Sequence, residues 1–135
     1  TMNLLRLGGF LGEDIAEKAE KTLAFLAPQV DANPTSYTYL LCALDYSIGP
    51  SHEVIVVCDS DFEEARRVIN TLEKTYLPNK VIMLKTPELD QLLEYTKAMS
   101  SIGGDPTIYV CKNRACKMPT TDVNEALKTL MTDEI

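Results

Sequence analysis

Val54-Ile55-Val56-Val57-Cys58 is an unbroken apolar run whose first four residues are β-branched. Polar residues do not alternate within it, so it reads as a strand covered on both faces. Asp59, Ser60 and Asp61 follow as N-cap candidates, with Glu63 and Glu64 in the first turn of a helix over about 61–76. Phe62, Ala65, Ile69, Leu72 and Tyr76 form the apolar stripe of that helix. Leu77-Pro78-Asn79 then turns the chain into a second strand, residues 80–84.

Downstream the alternation continues. Thr86 can cap a helix with Pro87 at its first position, carrying Leu89, Leu92, Leu93, Thr96 and Met99 inward. Gly103-Gly104-Asp105-Pro106 delivers a third strand, residues 107–111. Asp122-Val123-Asn124-Glu125 has capping-box spacing, and Val123, Ala126, Leu127, Leu130 and Met131 line the last helix. Strands alternating with helices of this length predict a small α/β domain over residues 51–135. It is a three-stranded parallel, Rossmann-like βαβαβα unit with right-handed crossovers. The most apolar strand belongs in the middle, giving strand order 2-1-3.

Upstream, residues 1–50 read as helices only. Leu4, Leu7, Gly8 and Leu11 follow helical spacing from the first residues, and Gly12 opens a turn into a helix over about 14–27. In that helix Ile15, Ala19, Thr22, Leu23 and Leu26 share a face. After Pro28 and Asn33-Pro34, a third helix near 35–48 carries Tyr37, Leu40, Leu41, Leu44 and Ile48 inward until Gly49-Pro50 stops it. The abrupt helical start reads as a segment of a longer polypeptide. Its exposed face would be covered by the missing part or by a second copy of the chain.

Composition sets the outer limits. The 135 residues are 45% hydrophobic and 24% charged, which is ordinary for one globular domain or two small ones. A net charge of −7 without any basic block argues against nucleic acid as a partner. No apolar stretch approaches the length of a membrane span, and no segment reads as a signal peptide. A cytoplasmic location is expected.

In an open parallel sheet, ligands bind beyond the carboxyl ends of the strands. That rule gathers Cys58, Asp59, Lys85, Thr86, Lys112 and Arg114 as a candidate ligand edge. It also lets Cys58 and Cys111 approach each other at the ends of neighbouring strands. Cys58 equally reads as a small buried hydrophobe, and Asp59 and Asp61 as caps. Cys111 and Cys116 are a sharper pair. Lys112, Arg114 and Lys117 place positive charge beside them, which favours thiolate, and four intervening residues permit a bridge if the loop turns back. The pair is a candidate redox couple or a structural bridge. One cysteine pair and one histidine do not supply a zinc site. His52 reads as an exposed residue before the first strand, at the end opposite Cys58 and out of reach of Cys111. Nucleotide-binding glycine motifs and a nucleophile elbow are absent, so no cofactor and no catalytic residue are expected.

Four stretches in order carry a resemblance: residues 3–7, residues 49–57, Tyr76-Leu77-Pro78-Asn79-Lys80-Val81, and Thr107 through Pro119 with its Cys111 and Cys116. Together they resemble the C-terminal end of the thioredoxin domain-containing, spermatogenesis-associated protein-like family, which includes bacterial YyaL-type proteins. The resemblance implies a parent with a thioredoxin-like domain and an (α/α) barrel similar to six-hairpin glycosidases and epimerases, followed by a small α/β segment. Residues 1–50 would then be the last helices of the barrel. The implied role is a non-catalytic structural or interaction domain whose partners are the remaining domains of the parent. The alternatives are a thiol–disulfide module using Cys111 and Cys116, and part of a carbohydrate-processing enzyme whose active site lies outside this chain.

Overall fold

A computed structural model describes residues 1–112 and 115–132. The chain divides into two compact units, Thr1–Ser51 and the part that begins at His52.

The first unit is helical. It comprises α1 (Met2–Leu11), α2 (Glu13–Ala32), a 3₁₀ turn (Pro34–Tyr37) and α3 (Thr38–Ile48). Gly12, at φ 126°, makes the sharp α1–α2 corner that a side chain would resist. The helices approach through small residues: Ala19 and Ala43 are fully buried, and a Cβ on Gly8 would meet the Ala16 backbone at 3.0 Å. This choice of contact overturns two expected faces. In α1, Met2, Leu5 and Phe10 are buried, whereas Leu7 and Leu11 are about half exposed. In α3, Ala43 and Tyr46 are buried, whereas Ile48 is 76% exposed. Close approach at Gly8, Ala19 and Ala43 decides which apolar side chains pack inward, and it leaves Leu7, Leu11 and Ile48 outward. Pro28 does not end α2, which runs through it for another turn.

The second unit contains β1 (His52–Val57), α4 (Phe62–Lys74), β2 (Lys80–Leu84), α5 (Pro87–Leu92), a 3₁₀ turn (Glu94–Ala98), β3 (Thr107–Lys112), β4 (Ala115–Cys116) and α6 (Val123–Thr132). The sheet order is β2-β1-β3-β4, so β1 is flanked by β2 and β3 as expected. All six residues of β1 are buried. Val54 and Val56 join Ile108 and Val110 beneath α4 and α6, with Ala65, Leu72, Ala126 and Leu130. The opposite face places Ile55, Val57 and Cys111 against Met99 and Tyr95. Burying a Val or Ile side chain contributes about 1.5–3 kcal/mol, so this strand anchors both layers.

The sheet is mixed, which corrects the parallel, Rossmann-like expectation. β1 and β2 are parallel, with Val54 opposite Ile82, but β3 runs antiparallel to β1, with Val54 opposite Val110. The cause lies in the helix expected over residues 86–99. It stops at Leu92, and Leu93 leaves helical geometry at φ −123°, ψ 93°. A six-residue helix is about 9 Å long, whereas a five-residue strand spans about 17 Å. The chain therefore does not travel back to the amino end of the sheet, and β3 enters from the edge where β2 leaves.

Local capping follows the sequence closely. Asp61 Oδ1 accepts from the Glu64 amide at 2.9 Å, and Thr86 Oγ1 from the Leu89 amide at 3.2 Å. At α6 the Asn124 amide donates to Asp122 at 2.8 Å, but Glu125 accepts from the Thr120 hydroxyl instead of closing a reciprocal box.

Gly8→Val is expected to destabilise the first unit by about 1–3 kcal/mol, as overpacking against backbone does. Urea titrations monitored by helical circular dichroism check this, and an unchanged midpoint would refute the close-approach account.

Candidate functional site

The second unit brings chemistry to both ends of its sheet. At the carboxyl ends of β1 and β2, a cleft of about 510 Å³ is lined by Cys58, Asp59, Phe62, Lys85, Thr86 and Met99, among others. Four of the six expected ligand-edge residues, Cys58, Asp59, Lys85 and Thr86, therefore meet. Lys112 does not join them, because the antiparallel β3 carries it to the other end of the sheet. Arg114 lies outside the described residues.

The polar side chains of the cleft are engaged in bonds within the protein. Lys85 Nζ donates to the Met99 carbonyl at 2.6 Å and lies 3.4 Å from Asp90 Oδ2, with its side chain only 15% exposed. Asp90 Oδ1 accepts from the Thr96 hydroxyl at 2.7 Å. Asp59 accepts from the Ser101 hydroxyl. The Thr86 hydroxyl caps α5, and the first-turn amide and Thr86 hold the exposed Glu88 carboxyl below the ordinary carboxylate range. Cys58 is a free, buried thiol. These bonds tie the segment after β2 down onto the end of β1. They also fix where β3 begins.

At the amino end of β1 stands the cysteine pair. Cys111 and Cys116 are joined by a disulfide, with their Cα atoms 3.9 Å apart as directly opposed residues of β3 and β4. Cys111 is fully buried, and Cys116 is exposed. The expected approach of Cys58 to Cys111 fails, since the two now end opposite edges of the sheet. His52 is corrected as well. It is 6% exposed rather than open to solvent, and it starts β1 at the same end as the disulfide. Burial lowers the pKa of Lys80, the β2 residue opposite His52, with Glu73 pulling the other way.

Glu53 went unremarked in the sequence. It is 3% exposed, directly opposite Val81 on one side and Cys111 on the other. The alternation Glu53, Ile55, Val57 was the available signal, because it puts the carboxyl on the same face as two core side chains. Among the described residues, no group of three or more His, Cys, Asp or Glu could hold a metal ion. Nor is any helix there long and apolar enough to cross a membrane.

No family model matches the chain, and no solved structure matches it. Over 133 residues, 95% of the chain, it is 27% identical to spermatogenesis-associated protein 20 of Homo sapiens. The chain is related to spermatogenesis-associated protein 20. The proteins of that name from Rattus norvegicus and Mus musculus are 26% and 25% identical over the same length. The chain spans 17% of the length of these curated relatives. The match fits a C-terminal region of that thioredoxin-domain family.

Two substitutions test the two ends. Lys85→Met is expected to cost about 1.5–3 kcal/mol, because it removes a charge-assisted bond to Met99 and leaves Asp90 without its cation. Cys116→Ser is expected to cost about 2 kcal/mol, the loop-closure contribution of so short a ring. Urea denaturation of each variant, beside reduced and oxidised parent protein, measures both.

Proposed function

We propose that the chain is a non-catalytic structural and interaction domain of a larger protein, in which the first unit completes a helical barrel. One observation carries the reading: the first unit leaves large apolar side chains outward, with Phe25 74%, Tyr39 69% and Ile48 76% exposed. The same unit carries a groove of about 190 Å³ between α2 and α3, lined mainly by apolar side chains such as Leu23, Val30 and Leu40. Apolar surface of this kind marks an interaction face. The relatives are about six times longer than the chain, which supplies further polypeptide of the required size. Lys85, Asp90, Asp59 and Thr86 are all engaged in bonds within the protein, which supports a structural role for the cleft.

The test is reconstitution. A parent polypeptide truncated before Thr1 is expected to lose stability and to bind this chain added in trans, and Phe25→Asp with Ile48→Asp is expected to abolish the binding. A truncated parent that stays as stable as the whole and ignores the chain overturns the reading.

A second reading rests on the disulfide. Cys116 is the exposed residue of the bridge and so the expected point of attack for an incoming thiolate, and the parent's thioredoxin-like domain is the natural exchange partner. Equilibration against glutathione buffers, followed by alkylation and mass measurement, decides between the two. Reversible opening in the cellular range favours the redox module, and a bridge that stays closed favours the structural domain.

A further inference from the structure

The row of residues that crosses the sheet at the amino end of β1 reads Val81, Glu53, Cys111, Cys116, from β2 to β4. Directly opposed residues project to the same face, with Cβ atoms about 4.5–5.5 Å apart. A carboxyl group that is 3% exposed thus stands beside the fully buried sulfur of the disulfide, while the other sulfur belongs to an exposed residue. We propose that Glu53 is the proton donor and acceptor for Cys111 when the Cys111–Cys116 bridge opens and closes. The proposal deepens the redox reading and names the group that would make such exchange work.

The asymmetry of burial sets the direction. An external dithiol, in thiolate form, attacks Cys116 Sγ, which belongs to the exposed residue of the pair. A bond forms between the two sulfurs, the Cys116–Cys111 bond breaks, and its electron pair goes to Cys111 Sγ. A thiolate left there would be desolvated, which disfavours the charged sulfur and favours its protonation by a neighbouring acid. Transfer of the Glu53 carboxyl proton to Cys111 Sγ makes Cys111 a neutral thiol and moves the single negative charge onto the carboxylate oxygens. The second thiol of the dithiol then displaces Cys116, so the dithiol is oxidised to its disulfide and the protein is reduced to two thiols. In the reverse direction the Glu53 carboxylate takes the Cys111 proton and creates the thiolate that closes the bridge.

Among the described residues, ionisable groups at this end include His52 on β1, Lys80 on β2 with Glu73 of α4 acting on it, Lys112 on β3 and Lys117 after β4. Tyr95 packs over the same face from the 3₁₀ turn. His52 and Lys112 alternate to the opposite face from Glu53, and each of these residues keeps interactions of its own.

The experiment is the rate at which dithiothreitol opens the bridge, followed by quenching with an alkylating agent, in the whole chain and in Glu53→Gln and Glu53→Asp. At matched dithiothreitol thiolate concentration, Glu53→Gln is expected to slow opening roughly 100-fold, the usual scale of a general acid. Glu53→Asp is expected to restore part of the rate. The unsubstituted chain supplies a second measure that needs no variant: its rate per thiolate falls as pH rises through the carboxyl titration. Equal rates in Glu53→Gln, or a flat per-thiolate profile, overturn the assignment. A bridge that glutathione leaves closed, yet dithiothreitol opens at a Glu53-dependent rate, removes the redox reading and leaves the role of Glu53 standing.

Discussion

Burial of β1 on both faces and along both edges is the constraint on which the second unit rests. Its valines at positions 54 and 56 belong to the layer beneath α4 and α6, while Ile55 and Val57 belong to the layer with Met99. Because side chains alternate with a period of two, a one-residue slip would exchange the two sets and carry Glu53 into the wrong layer. The parallel partner on one side and the antiparallel partner on the other hold the register twice over. The disulfide sits at the end of this arrangement rather than at its centre. Core burial sets the fold, and the bridge acts locally on the edge.

Much of the second unit was legible because its signals are local. Caps at Asp61 and Thr86 are short-range hydrogen bonds, and the unbroken run at 54–58 announces a central strand without any tertiary information. The direction of β3 was not legible in the same way. Leu89, Leu92, Leu93, Thr96 and Met99 keep helical spacing although the helix ends at Leu92, so apolar periodicity alone overstated its length. That one error moved Lys112 and the cysteine pair to the wrong end of the sheet. Of the candidate edge, Cys58, Asp59, Lys85 and Thr86 line one cleft, whereas Lys112 on β3 lies at the other end of the sheet. Glu53 escaped notice because it adjoins an apolar run, where a charged residue reads as a boundary.

The first unit shows a different limit. Hydrophobic spacing in α1 and α3 marks a face correctly as apolar but does not say what lies against it. Gly8, Ala16, Ala19 and Ala43 let backbones come close, and that contact leaves Ile48 and Tyr39 outward. Small residues carry weak signals on any hydropathy scale, although here they decide which surfaces meet.

The two rims of the sheet are unequal as templates for a foreign strand. Beyond β3, the Lys117 amide bonds to Val110 at 3.0 Å, and Thr120 exchanges bonds with Ile108 at 2.8 and 3.1 Å. Three steps along the outer segment thus match two along β3, a bulge that contains Pro119. Such a rim is twisted and lacks a donor, and it discourages further pairing. β2, on the other rim, is five residues long with Lys80 its one charged member. Growth of the sheet by strand addition is steered to that side, away from the cysteines.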